Sequence, residues 1–127
     1  MPKTSHDLVV EAKQAIREVS PEDARRLIQG GAVVLDVREP EEFAAGHLPG
    51  ALHIPRGMLE FRLAGIPELN DPRRTIVVYC KTSGRAALAT VVLQRMGVSH
   101  AVSLAGGFDA WAASGLPVDL PAPIDFE

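Results

Sequence analysis

Apolar positions along this chain follow two rhythms, and the alternation between them outlines a fold. Leu8, Val9, Ala12, Ala15, Ile16 and Val19 recur three and four apart, the spacing of an amphipathic helix. Thr4 followed by Asp7 offers a cap for its start, so the pattern predicts a helix over 5–17. Ser20-Pro21-Glu22-Asp23 then combines a hydroxyl cap, a proline at the first helical position and acids in the first turn. A second helix is predicted from there to Gly30-Gly31, where glycine permits a left-handed stop. The rhythm changes at 32–37, a short, continuously apolar run rich in β-branched residues, as expected of a strand buried on both faces. A second such run, 75–79, ends at Cys80, and a weaker one covers 101–104 after the break at Gly97. Residues 51–54 form a possible short strand before Pro55. Helical stretches at 40–45, 58–64, 84–96 and 108–113 lie between the strands. Strands alternating with helices predict an α/β domain, a parallel sheet with helices on both faces.

Length and composition narrow this picture. The 127 residues suit one domain, and 46% apolar residues suffice for a packed core that must be largely aliphatic, since aromatics make up only 5%. A net charge of -3 without a basic stripe argues against nucleic acid as a partner. The single cysteine excludes an intramolecular disulfide and a cysteine-rich zinc site. The first residues lack the basic patch and apolar stretch of a secretory signal, and no run approaches the ~18 apolar residues of a membrane helix. The expectation is a soluble, cytoplasmic protein that binds no membrane.

The chemistry is concentrated at 75–96. The buried strand delivers Cys80 to the carboxyl edge of the sheet, where open α/β folds bind ligands. Lys81-Thr82-Ser83-Gly84-Arg85 follows and leads into a helix. A short loop entering a helix turns backbone amides inward, and the helix terminus adds partial positive charge. Gly84 is expected to supply the freedom for the turn, while Lys81 and Arg85 raise the local positive potential. Thiolates in such surroundings are stabilised, so Cys80 is expected to act as a nucleophile without a dedicated base. The competing reading is a buried structural thiol; its place at a strand end, before Lys, Gly, Arg and a helix, favours reactivity.

Three segments resemble the rhodanese family. They are Leu35-Asp-Val-Arg-Glu-Pro-Glu-Glu-Phe-Ala-Ala-Gly-His-Leu-Pro-Gly-Ala51 with Ile54-Pro55, then Val77-Val-Tyr-Cys-Lys-Thr-Ser-Gly-Arg85, then Leu104-Ala-Gly-Gly-Phe-Asp-Ala-Trp-Ala-Ala-Ser-Gly-Leu-Pro-Val118. The resemblance divides the chain into an N-terminal helix outside the match (1–18), a rhodanese domain (19–118) and an irregular tail (119–127). It implies a rhodanese-like five-stranded parallel sheet flanked by helices on both faces. It also implies ping-pong sulfur transfer: Cys80 takes a sulfane sulfur from thiosulfate or a persulfide and passes it to cyanide, a thiol or a protein cysteine. The amides of Lys81, Thr82, Ser83, Gly84 and Arg85 would stabilise the anionic persulfide, with no metal or organic cofactor. Four residues separate Cys80 from Arg85, whereas related phosphatases and arsenate reductases have five, so the short loop favours sulfur over phosphate. Where long two-domain thiosulfate sulfurtransferases carry a substrate-associated arginine, this chain has Glu42; a carboxylate there would repel an anionic donor if it faced the pocket. The 1–18 helix could pack on the domain or bind a partner.

Other chemistry-bearing residues receive plainer readings. Asp36 and Arg38, at a strand end, are expected to form a structural ion pair. Glu39, Glu41 and Glu42 read as first-turn acids of a helix opened by Pro40. His47 and His53 lack a third metal ligand, and His47 sits in a turn that matches the family. Gly106-Gly107 lacks phosphate-loop spacing and reads as a turn before a short helix. Trp111, at helical spacing from Phe108 and Leu104, reads as core. Two further functions stand beside the enzyme: a rhodanese-fold sensing or interaction module in which Cys80 accepts sulfur or oxidant without turnover, and a small Cys-dependent phosphatase or arsenate reductase.

Overall fold

The computed structural model describes residues 1–121. Helix α1 (Ser5–Ala15) leads into strand β1 (Glu18–Val19), followed by α2 (Pro21–Gln29), β2 (Val33–Asp36), α3 (Pro40–Ala45) and β3 (Leu52–His53). Then come α4 (Leu59–Arg62), β4 (Ile76–Tyr79), α5 (Gly84–Arg95), β5 (Ala101–Leu104) and α6 (Gly107–Ala113). The five strands form one sheet in the order β1-β5-β4-β2-β3, with every pairing parallel. This is the five-stranded α/β architecture expected from the resemblance, with the strand that carries Cys80 at its centre.

The alternation of strand side chains divides the interior into two cores. Val33, Leu35, Ile76, Val78 and Ala101 face α4 and α5, where Leu59, Leu63, Ala86, Ala89 and Leu93 meet them. Val34, Val77, Tyr79, Val102 and Leu104 face the other way, against Ala24 of α2, Leu48 and Trp111 of α6. Trp111 is core, as its spacing suggested, and its indole N–H donates to Pro117 O at 2.7 Å. Period two carries on one step past the strand: Cys80 follows Ile76 and Val78 onto the α5 side. The sheet thereby aims its one thiol at the start of α5.

Helix starts follow the local sequence closely. Thr4 and Asp7 close a reciprocal capping box on α1, and Ser20 Oγ accepts the Asp23 amide ahead of Pro21. Other boundaries differ from expectation. The first helix stops at Ala15, because Ile16 is extended and residues 17–19 join the sheet edge: Ser103 N donates to Arg17 O and Ala105 N to Val19 O. Val19, which fits the helical spacing, is therefore in β1, where backbone pairing overrides the side-chain period. The stretch 51–54 narrows to two strand residues before Pro55. The expected helix at 58–64 breaks into α4 and flanking 3-10 turns, and a further 3-10 turn, Pro67–Asn70, has no counterpart in the predicted elements. At the start of the predicted tail, Asp119 exchanges both backbone hydrogen bonds with His47; residues 122–127 lie outside the described part of the chain.

α1 packs along α5: Ala12 is buried, and Val9 approaches Gly84. Among the described residues, no helix is long and apolar enough to cross a membrane.

Candidate active site

Cys80 is the first residue beyond β4, and Lys81–Ser83 carry the chain over to the first turn of α5. The first amides of a helix have no partner within it. Here the Ala86 N–H, in the first turn of α5, donates to Cys80 Sγ at 3.3 Å. Ser83, the residue at the usual capping position, makes no cap, because its Oγ accepts a 2.8 Å hydrogen bond from Lys13 Nζ of α1. The thiol therefore takes the place of a capping side chain.

A second element shapes the loop from below. Phe108 N donates to Cys80 O at 2.8 Å and Asp109 N to Lys81 O at 3.0 Å, so the start of α6 holds both carbonyls. In a trans peptide the carbonyl and the following N–H point in opposite directions. Fixing these two carbonyls toward α6 therefore turns the amides of Lys81 and Thr82 away from it. Among the described residues, no amide from Lys81 to Arg85 donates within the chain. The loop presents a row of unpaired donors, the kind of backbone surface that binds anions.

This close docking depends on glycine. Gly107 has φ +59°, and a Cβ there would stand 2.5 Å from Cys80 O and closer still to Thr82 O. Gly106-Gly107 is indeed the turn before a short helix, but it is also the surface on which the cysteine loop rests. Gly84, by contrast, is not among the left-handed glycines, and a Cβ there would meet only Val9 Cγ2 at an ordinary 3.5 Å. The conformational freedom expected of Gly84 resides in Gly106 and Gly107 instead.

The charges near the loop are paired. Lys81 Nζ bonds Asp109 Oδ2 at 2.7 Å. Arg85 grips Glu42 through two bonds of 2.7 and 3.0 Å. Glu42 Oε1 also accepts the Glu39 N–H at the start of α3. The Arg85 hydrogen bond outweighs the burial of Glu42 and, with the Glu39 amide, holds its carboxyl at about 2. The same bond raises Arg85 further above its already high value. The expected excess of positive potential from Lys81 and Arg85 is thus cancelled at both positions. Glu42 lines a cleft of about 210 Å³ beside the loop, together with Arg38, Ala45, Gly46, Lys81, Phe108 and Asp109. Cys80 does not line that cleft and is only 1% exposed.

Asp36 and Arg38 form a buried ion pair, with Arg38 Nε and Nη2 on the carboxylate and Nη2 also donating to Gly46 O at 2.7 Å. Tyr79 Oη donates to Asp36 Oδ2 at 2.6 Å and accepts the Leu48 N–H. Burial and the adjacent carboxylate push the Tyr79 hydroxyl well above its usual range, which keeps it a donor. Burial works against the Arg38 charge, but Asp36 outweighs it and raises the guanidinium. The Arg38 guanidinium lies 4.5 Å from the Phe108 ring centroid, so this network props the α6 turn beneath the loop. Phe43 stacks between His47 and His53, at centroid separations of 3.8 and 4.6 Å. Among the described residues, no group of three His, Cys, Asp or Glu side chains is placed to hold a metal.

The structure thus brings Cys80 and the loop to the start of α5 and keeps Asp36 and Arg38 in a supporting layer. Sequence reasoning missed the Ala86 amide, Gly107, Asp109 and Lys13. Only the paired glycines carried a usable signal, since adjacent glycines before a helix often mark a close backbone approach.

Comparison with known proteins agrees with this fold. A sulfurtransferase from Allochromatium vinosum is 34% identical over 108 residues, spanning 84% of this chain and 97% of its own. The thiosulfate sulfurtransferase GlpE of Ectopseudomonas mendocina is 34% identical over 98 residues, 77% of this chain and 86% of its own. A solved structure from Rhodopseudomonas palustris, a protein of unknown function described as a possible tyrosine phosphatase, superposes with a TM-score of 0.83 at 32% identity, covering 94% of this chain and 99% of that one. The family model for the rhodanese-like domain matches residues 20–114, from the cap of α2 to the end of α6, and the chain belongs to that family.

Proposed function

We propose that the protein is a sulfurtransferase that carries sulfane sulfur on Cys80 by a ping-pong mechanism. The observation that supports it is the placement of Cys80 Sγ against the Ala86 amide, beneath a loop whose own amides have no partner. With thiosulfate, the Cys80 thiolate attacks the outer sulfur; the sulfur–sulfur bond of the donor breaks, and its electron pair leaves with sulfite. Cys80 then bears a persulfide anion whose outer sulfur lies one bond further into the loop. The amides of Lys81–Arg85 stabilise that charge electrostatically; in well-studied enzymes one such donor is worth about 2.7–4 kcal/mol of barrier. An acceptor such as cyanide or a thiol attacks the outer sulfur and restores the thiolate. The residues described use no cofactor in these steps.

Incubation with thiosulfate and cyanide is expected to release thiocyanate, and intact-mass measurement after donor alone is expected to show one added sulfur atom. Cys80→Ser should reduce both to background while retaining the native circular dichroism spectrum. A wild-type protein that gains no sulfur from any donor would refute the proposal. Cys80 is only 1% exposed, so both loading and turnover need access to a covered thiol; sulfur gain without thiocyanate release is the signature of the second reading, a module that accepts sulfur without turning over. Phosphatase chemistry gains no support from Arg85, which is held by Glu42, and hydrolysis of p-nitrophenyl phosphate is expected to stay at background.

A further inference from the structure

A dianionic donor needs attraction to approach a site that already holds a thiolate. Three cations lie around the Cys80 loop and the adjoining cleft, and each is engaged by a carboxylate: Arg38 by Asp36, Lys81 by Asp109 and Arg85 by Glu42. Lys13, which reaches the loop from α1, is turned to Ser83 Oγ and Glu18. What remains for an incoming anion is the dipolar field of the loop amides and the α5 terminus, equivalent to roughly half a charge. Glu39 and Glu41 beside Glu42, and a net charge of -3, add nothing attractive. Glu42 occupies Arg85 and lines the cleft, and the Arg85 hydrogen bond holds its carboxyl well below the ordinary value, so it is charged at neutral pH.

Taking Cys80 as the sulfur carrier proposed above, we infer that this site selects against dianionic donors such as thiosulfate and in favour of thiol hydropersulfides, with Glu42 as the specificity-determining residue. In the favoured reaction the Cys80 thiolate attacks the outer sulfur of R–S–SH. The S–S bond breaks, its electron pair leaves with RS⁻, and the proton of the transferred sulfur passes to that thiolate. The products are RSH and the Cys80 persulfide anion, with no external oxidant or reductant.

Glu42→Gln removes one negative charge from the cleft and frees Arg85 to meet an anion. The ratio of kcat/KM for thiosulfate to kcat/KM for cysteine hydropersulfide, with cyanide as acceptor, is expected to rise about tenfold or more. Glu68→Gln, on the 3-10 turn ahead of β4, removes the same charge away from the site and is expected to leave the ratio unchanged. The wild-type chain gives a reading independent of any variant. With no net attraction at the mouth, kcat/KM for thiosulfate is expected to stay level or rise between about 0.02 and 0.3 M salt, because screening removes no favourable field. A severalfold fall with salt, or a ratio that Glu42→Gln leaves unmoved, would overturn the inference while leaving sulfur transfer intact. Failure of both donors to load Cys80 would instead defeat the carrier reading beneath it.

Discussion

Gly107 shows how much of the site rests on a position without a side chain. Its left-handed backbone alone makes alanine unfavourable by about 1–2 kcal/mol, and the added methyl would press into the Cys80 and Thr82 carbonyls. Gly115 provides the comparison, with φ +73° and nothing within 4 Å of the methyl that alanine would add. Both alanine variants are expected to lose stability in urea titration. Only Gly107→Ala should also lose thiocyanate formation, by about a hundredfold, since only there must the loop move; equal activity in the two would mean that the α6 turn does not shape the loop. At this scale Cys80 was legible because the period of a buried strand and a following helix start are both local signals. Ala86, Asp109 and Lys13 were not, because their contacts join positions that only the fold brings together. Gly84 was misread for a related reason: a glycine at a helix start resembles a conformational requirement, but its backbone here is not left-handed.

Among the elements, α1 has the least expected connection to the site. It lies ahead of the 20–114 family match yet packs on α5, places Val9 against Gly84 and donates from Lys13 to Ser83. The helix that carries the loop is therefore supported on its outer side by a segment the family pattern does not include. Ala12→Asp buries a charge at the α1–α5 contact, where an unpaired carboxylate is not tolerated. The expected result is detachment of α1: faster amide hydrogen exchange through 5–15, and also through the first turn of α5 as Lys13 withdraws from Ser83. Fast exchange confined to α1 would show that the loop does not depend on it. The start of α1 was readable from Thr4 and Asp7, and its end was not, because Val19 satisfies the helical period and the pairing of β1 with β5 at once. Four strands were visible as apolar runs. β1, two residues long with one face exposed, carries too little pattern to stand out, and only the family resemblance implied a fifth strand.

Over the whole molecule, the two cores hold the sheet between helix layers, but they leave the carboxyl edge to be closed by polar links. Asp36, Arg38 and Tyr79 tie β2 to β4 and to the α6 turn, and Glu42–Arg85 ties α3 to α5 above them. The second link has a definite pH signature. Glu42 is depressed from 4.5 to about 2, so the folded state binds its proton less readily than the unfolded chain does. Its contribution is fully present above about 4.5 and is lost as the pH falls toward 2. Both side chains remain partly exposed, at 26% and 35%, so solvent screening limits the contribution to about 1 kcal/mol. Urea unfolding of the wild type and of Glu42→Gln should therefore differ by about that amount between pH 5 and 8. The gap should narrow steadily below pH 4.5, because protonation makes the native carboxyl resemble the amide. A gap independent of pH would mean that the link acts through packing rather than charge. A charged link would then make Glu42 both a clasp between two helices and the group that keeps Arg85 from an incoming anion, so the variant that broadens donor choice should also be the less stable one at neutral pH.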